Sequence, residues 1–458
     1  MITKTEIEQK ADEFGIHIAN VERDYVYGWL LRAFFSNEFL AQQLVFKGGN
    51  CMRKAYYADT RFSGDLDFSV RGAVDPGRFK DQVNCACERA HEASGVRFLT
   101  ERTSFEAEAM IDGQRQSYKG RVYFRDFHGN EEKIIISVRL DITEFDKLLL
   151  PTVMRPLIHP YSDAEACKIT MPCVVLEELL ANKLKCLIQR RHSFDLYDFV
   201  YATFFEKSIT IDRSLVLRTF LRKTIFEPSP GAAKDILLGL PLTLFRGAWE
   251  KYIVCPLHSR FGLDRAIEAF VAGIEEIFGS VMPGRGAQAF FPSEIRNIIF
   301  DAGLQRKLLV MTYDSRERIV EPYSLAYKRR KDGYAAEYFY GFDRTGGRSS
   351  SPGIKSFVHG NIQKIAMSDE QFEPRYEIEL SKAGELPTNG YFAKPSFSRI
   401  STIRPHLRRL LDHRRSANYR VECPYCHKRF LRSTPSTTLG AHKDPNGYPC
   451  WGRRGYLV

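Results

Sequence analysis

The sequence has no run of about 18 apolar residues, the length a helix needs to cross a bilayer, so no membrane-spanning helix and no membrane partner are expected. Its opening residues, Met1-Ile2-Thr3-Lys4-Thr5-Glu6, are charged and lack the apolar core of a secretory signal, which points to a soluble cytoplasmic protein. Repeats and low-complexity tracts are missing, and a hydrophobic content of 44% excludes a disordered or collagen-like chain. No regular disulfide framework is present: of ten cysteines, seven are scattered in apolar or helical settings, where a free thiol acts as a small hydrophobe. Acid is scarcest at the C-terminal end. Residues 391–458 carry 14 Lys and Arg against 3 Asp and Glu, whereas residues 1–390 carry 53 of each, so the whole net charge of +11 lies in the last 68 residues.

A length of 458 is about three domains of roughly 150 residues. Helical periodicity runs from Thr5 to Leu44, a short strand Leu44-Val45-Phe46 enters a Gly-Gly turn, and strand-like stretches follow at 65–70, 121–125 and 134–143. From 175 to 277 the pattern is mainly helical. Gly279 to Gly286, with Met282-Pro283-Gly284-Arg285 inside it, reads as a linker, and Leu386 to Gly390 as a second boundary. Between them, alternating runs at 308–313, 337–342 and 355–365 suggest a small β-barrel. The expected division is 1–280, an α/β unit with a helical second half; 281–306, a linker or helix; 307–386, a β domain; 387–418, a basic linker or helix; and 419–458, a metal-binding module.

The most informative stretch is Phe46-Lys47-Gly48-Gly49-Asn50, followed by Arg61-Phe62-Ser63-Gly64-Asp65-Leu66-Asp67-Phe68. On a strand, residues two apart share a face, so Asp65 and Asp67 point together while Leu66 and Phe68 enter the core. Two adjacent carboxylates repel unless a cation lies between them, and Mg²⁺, with its preference for oxygen, suits them. Gly48 and Gly49 let backbone amides approach phosphate oxygens; Lys47, Asn50 and Ser63 are placed to add contacts. Asp141, at the polar end of an apolar strand, is the candidate third acid for a two-metal site that holds a nucleoside triphosphate. On the later helix, Leu176, Leu180, Leu184 and Leu187 form one face, and Lys183 lies at its border, placed to neutralise a leaving pyrophosphate.

These residues resemble the nucleotidyltransferase superfamily, with a Gly-Gly turn, Asp-x-Asp and a later Asp, and more closely the AbiEii/AbiGii toxin family. Phe46 to Asn50, Arg61 to Phe68, Leu176 to Leu184 and Arg190 to Asp198 carry the likeness over roughly residues 5–280. Asn50 stands where that family has Thr, and Phe194 where it has Arg. The resemblance implies a polymerase-β-type nucleotidyltransferase fold, Lys183 and Asp195 in the active centre, transfer of a nucleotide to tRNA or another RNA, and restraint by an antitoxin in a toxin–antitoxin or phage-defence system. The alternatives are a nucleic-acid-sensing regulator on a non-catalytic scaffold, or transfer to a protein or small molecule.

Residues 308–376 resemble a WYL-type SH3-like barrel, through Tyr313, Arg318 to Leu325, Tyr338-Phe339-Tyr340 and Phe357 to Ile365, although the Trp-Tyr-Leu triplet itself is absent. Arg318, Tyr338, Lys355 and His359 are candidates to line a phosphate groove there, for a nucleic-acid trigger or a nucleotide. In the tail, Cys423, Cys426, His442 and Cys450 have the spacing of one tetrahedral structural Zn²⁺ site; a redox pair would want a βαβ setting, and His427 is a competing imidazole. Lys428, Arg429, Arg432, Lys443, Arg453 and Arg454, interleaved with Tyr425, Phe430, Tyr448, Trp451 and Tyr456, have the composition of a nucleic-acid grip. The basic stretch from Arg404 to Arg415 would extend it.

Overall fold

The computed structural model describes residues 2–111, 114–126, 134–144, 148–279, 289–329, 335–346 and 351–385, with 419–423, 426, 428–432, 437–443, 449–450, 452–454 and 456–457. The Met282-Pro283-Gly284-Arg285 linker, the 386–390 boundary, the basic 404–415 stretch, Tyr425, His427, Tyr448 and Trp451 lie outside the described residues. Two compact units result: Met1–Glu373 with Ile378–Ser396, and Pro374–Glu377 with Phe397–Val458.

The first unit opens with α1 (Lys4–Phe14), capped by the Thr3 hydroxyl and closed by Gly15 in the left-handed region, then α2 (Ile18–Ser36) and α3 (Glu38–Gln43). The strand β1 (Leu44–Lys47) runs straight into α4 (Gly48–Cys51) and a π-helical turn at Met52–Tyr56. Next come β2 (Asp65–Val70), α5 (Pro76–Ser94), β3 (Ser104–Ile111), β4 (Gln114–Arg125), β5 (Ile135–Thr143), β6 (Val153–Pro156) and β7 (Thr170–Cys173). They form a seven-stranded mixed sheet in the order β3-β4-β5-β2-β1-β7-β6, in which β2 is parallel to β5 and β1 to β7. Asp75 caps α5 ahead of its N-terminal Pro76, and α5 packs on α2.

The alternation of β2 is realised as expected: Leu66 and Phe68 are fully buried, and the rings of Phe34, Phe35 and Phe46 surround Phe68 at 6.1, 6.3 and 5.5 Å. β3, β6 and β7 were not expected; β6 and β7 are four residues long and each contains a proline, leaving too little alternation to read. A buried ionic knot ties the segment after the glycine turn to α2. Asp24 accepts from Arg53 Nε at 2.8 Å, Lys54 Nζ at 2.7 Å and the Tyr161 hydroxyl at 2.9 Å. Arg53 also donates to the carbonyls of Ala58 and Thr60 and lies over Phe62 at 3.6 Å, so the loop leading into β2 is wired from both sides.

The helical half comprises α6 (Leu176–Gln189), α7 (Ser193–Val200), α8 (Arg213–Arg222), α9 (Pro230–Leu238), α10 (Arg246–Tyr252) and α11 (Leu263–Phe278). Leu176, Leu180, Leu184 and Leu187 of α6 are all buried, as their spacing required. Among the described residues, no helix is long and apolar enough to cross a membrane.

α12 (Ser293–Gln305) then packs on a five-stranded antiparallel sheet of β8 (Lys307–Tyr313), β9 (Arg316–Arg329), β10 (Ala335–Asp343), β11 (Gly353–Val358) and β12 (Ile362–Gln371), which has a hydrophobic core of its own. The order is β11-β10-β9-β8-β12, with β11 and β12 at the edges, and the closure that would make an SH3-like barrel is not among the described pairings. Pro322 sits inside β9 opposite a register shift at Tyr340/Gly341, the irregularity that admits a proline to a strand.

Arg296 of α12 is 1% exposed and donates to Glu337 of β10 at 2.6 Å. Arg296→Ala would strand that buried carboxylate and is expected to cost about 3–5 kcal/mol, read by urea melting. A loss under about 1 kcal/mol would show that the pair can be replaced by solvent.

In the second unit, β13 (Tyr419–Glu422), β14 (Arg429–Arg432) and β17 (Tyr456–Leu457) form one sheet, and β15 (His442–Lys443) and β16 (Pro449–Cys450) a second, around Val421, Cys423, Leu439 and Cys450.

Candidate active site

Strand register assembles the site. Lys47 at the end of β1 stands opposite Asp67 of β2, Asp67 is level with Asp141 of β5, and Asp141 is level with Lys119 of β4. One row across four strands thus runs cation, acid, acid, cation. Asp65 shares the face of Asp67, and carboxylate oxygens of Asp65, Asp67 and Asp141 all lie within 4.8 Å of one another. Burial and then the Asp65 charge push the Asp67 carboxyl up to about 7; Asp141 adds to the repulsion, while Lys47 and Lys183 oppose it. Three converging carboxylates, whose repulsion Lys47 and Lys183 offset only in part, are a donor set that a hard divalent cation fits.

The glycine turn lies against this cluster. Gly48 has φ +75°, and a Cβ there would collide with the Asp67 carboxylate. Gly48→Ala is therefore expected to displace Asp67 and lower activity by about 10²-fold or more, with a lowered Tm, since it adds left-handed strain to the clash. Wild-type activity in that variant would show that Asp67 can move without loss. A Cβ on Gly49 would meet Arg61 Nη2 at 2.8 Å and Ser63 Oγ at 2.9 Å. Ser63 donates to Asp65 Oδ1 at 3.1 Å, so it orients a carboxylate. Asn50, fully buried, donates its side-chain amide to the backbone carbonyls of Asp65 and Ser63 and so braces the loop rather than opening toward a phosphate.

Behind the carboxylates is a buried ionic network. Lys183 Nζ reaches Asp198 Oδ2 at 2.6 Å and Asp195 Oδ1 at 3.2 Å. Burial alone would lower the Lys183 pKa, but Asp198 and then Asp195 outweigh it and hold the ammonium above its usual range. Asp195 is gripped in addition by both arms of Arg190 at 2.8 Å, which supplies the cation that the preceding Phe194 does not. Burial raises both aspartates, yet their cationic neighbours hold them below the ordinary carboxylate range. Arg61, Arg190 and Lys119 were given no role of their own from sequence. The signal there was that Arg61 opens the short motif that holds Asp65, and Asp198 closes the one that holds Asp195.

The family comparison bears on this span. Residues 29–253, which contain every residue of the row and the network, match the family model described as nucleotidyl transferase AbiEii toxin, type IV toxin–antitoxin system. That span, just under half of the chain, is similar to an AbiEii-type nucleotidyltransferase domain. The chain is a nucleotidyltransferase. No curated protein matches the chain. Among solved structures, the nucleotidyltransferase toxin MenT4 from Mycobacterium tuberculosis H37Rv is similar at 23% identity over 61% of this chain and 89% of that one, with a TM-score of 0.36.

Outside residues 29–253, two of the four residues expected to line a phosphate groove are held in ion pairs. Arg318 and Lys355 donate to the buried Asp343 at 3.1 and 2.9 Å, and Asp343 also takes the amide of Thr345. His359 is edge-on to Phe291 at 6.0 Å with its pKa lowered by burial, and Tyr338 lies 6.4 Å from Tyr340. In the second unit, the ligand atoms of Cys423, Cys426, His442 and Cys450 lie within 4.8 Å of one another. Cys423 Sγ is 3.6 Å from Cys450 Sγ and Cys426 Sγ is 3.4 Å from His442 Nε2, close to the edges of a tetrahedron with metal–sulfur distances of about 2.3 Å. His442 Nδ1 is 2.9 Å from the Gly440 carbonyl, which leaves Nε2 for a metal. Lys428, Arg429, Arg453 and Arg454 are exposed around this cluster, Arg429 with Glu422 at 2.7 Å and Arg453 on the Cys450 carbonyl.

Proposed function

We propose that the enzyme transfers a nucleoside monophosphate from an NTP to a hydroxyl of RNA, with tRNA the leading acceptor, as the toxin of a toxin–antitoxin pair restrained by a cognate antitoxin. The observation that carries the reading is the in-register row of Asp67 and Asp141, with Asp65 beside them, set against the Gly48-Gly49 turn. Asp65, Asp67 and Asp141 would hold one or two Mg²⁺ ions, which when bound neutralise phosphate charge and lower the pKa of a coordinated hydroxyl. The acceptor oxygen forms a bond to the α-phosphorus as the bond to the β-phosphate bridge breaks, and pyrophosphate leaves. Asp141 would receive the hydroxyl proton or share the cation, and Lys183 with the glycine amides would take up negative charge on the departing pyrophosphate.

Four ligands of the Cys3His cluster leave no open position, so that site would hold a structural Zn²⁺. The acceptor grip is assigned to the basic second unit rather than to the five-stranded sheet, whose Arg318 and Lys355 are spent on Asp343. The remaining domain limits, including a WYL-like identity for 307–386, are offered on the same footing. The test is incubation with labelled NTPs, Mg²⁺ and total RNA. Label on RNA with release of pyrophosphate, lost in Asp67→Ala, is the expected result; label on protein alone would overturn the acceptor, and no label on anything the transfer itself.

A further inference from the structure

We propose that Arg61 is a positioning residue of the nucleotidyl-transfer site, acting through a bidentate pair with Asp198 to hold Lys183 toward the triphosphate. The inference rests on the reading of Lys183 as the cation that meets the NTP. Arg61 is 5% exposed, and its Nε and Nη2 donate to Oδ1 and Oδ2 of Asp198, both at 2.7 Å. Lys183 Nζ reaches that same Oδ2 at 2.6 Å. A planar fork on both oxygens fixes the plane of the carboxylate, which a single contact does not. The oxygen that receives Lys183 is therefore set by Arg61.

Two further contacts fix the guanidinium itself. It lies over the Phe194 ring at 4.6 Å, and its Nη2 occupies the space where a Gly49 side chain would begin. One side chain, four residues ahead of Asp65, thus touches the glycine turn and α7 and, through Asp198, controls α6. Charge gives the arrangement its purpose. Arg61, Lys183 and Arg190 face Asp195 and Asp198, an excess of one positive charge in a buried place, and Asp67 feels Lys183 directly. With Arg61 removed, the Asp198 carboxylate is free to turn, and the position that it gives the Lys183 ammonium is no longer fixed.

A double-mutant cycle tests this in the full-length protein, with calorimetric binding of each Mg²⁺-bound NTP as the readout, taking the tightest, and transfer to total RNA measured separately. Arg61→Gln and Lys183→Met are each expected to weaken NTP binding about 10-fold or more, and the double variant to be no weaker than Lys183→Met alone. Arg61→Lys, which keeps the charge without the fork, is expected to fall short of wild type. Independent, additive losses, or wild-type affinity in Arg61→Gln, would overturn the proposal. Against simple unfolding, Arg61→Met with Asp198→Leu replaces the pair by apolar groups; it is expected to keep its Tm yet bind NTP as weakly as Lys183→Met, and wild-type binding there would also overturn the proposal. Wild-type protein that binds NTP but labels no acceptor would sink the transfer reading while the cycle still decides Arg61; wild type that binds none of the NTPs sinks both.

Discussion

Asp67→Asn is expected to reduce nucleotidyl transfer by about 10³-fold or more while making the metal-free protein more stable at pH 8. The first effect follows from removing a charged oxygen donor from a three-carboxylate cluster, where the proposed cation would be worth several kcal/mol to the transition state. The second follows from the sign of the shift. An unfolded Asp ionises near 3.9, whereas the folded Asp67 holds its proton up to about 7. Between those values the folded state binds more protons, so this group's contribution is most favourable below about pH 4 and is lost as pH rises through 7. Asn cannot ionise and escapes that loss. In the wild type, the rise in Tm on adding Mg²⁺ should therefore grow from pH 6 to pH 8, and in Asp67→Asn it should be small at both. Thermal melts across that range with and without Mg²⁺ provide the check; a pH-independent Mg²⁺ effect in the wild type would mean that the repulsion is relieved by something other than metal.

Chelation of zinc, or Cys423→Ser, is expected to abolish the fold of the 419–457 module while leaving the melting of the first unit unchanged. Among the described residues, the core there is Val421, Cys423, Leu439 and Cys450, with Cys426 and Phe430 packed against it, and three of these six are proposed ligands. So small a core cannot offset the entropy of ordering the module, whereas zinc binding to such sites contributes about 10–16 kcal/mol. RNA affinity should fall together with the module, because its exposed Lys and Arg lose their arrangement. Hydrogen exchange by mass spectrometry separates the units: protection retained in 419–457 after metal removal would show that the cysteines are structural without metal. The same measurement against RNA binding shows whether the affinity tracks the module.

What was readable in sequence, and what was not, divides by distance along the chain. Asp65 and Asp67 declare themselves by a period of two inside an apolar strand, and Cys423, Cys426, His442 and Cys450 by spacing alone. Lys183 was expected at the edge of a buried face and is itself buried, and its partners were not visible. Asp198 meets Arg61 across 137 residues, and nothing local in Arg61-Phe62-Ser63 announces that pairing. Arg318 and Lys355 likewise have a partner that the sequence does not show. Their charges suggested a phosphate site, yet Asp343, on a different strand, claims both. Lys119 was passed over because β4, with Gln114, Arg115, Gln116, Lys119 and Arg121, alternates weakly, and only its register against β5 puts the ammonium level with Asp141.

The contact between Gly48 and Asp67 links the histories of two positions that are nineteen residues apart. While the aspartate is kept, position 48 admits no side chain, whatever pressure acts on the rest of the turn. Once the aspartate is lost, the space opens and the glycine is released to drift. Descendants of this chain that have abandoned catalysis are thus expected to vary at both positions together, while active ones vary at neither, which makes the pair a test of whether a given copy still carries a working nucleotidyltransferase.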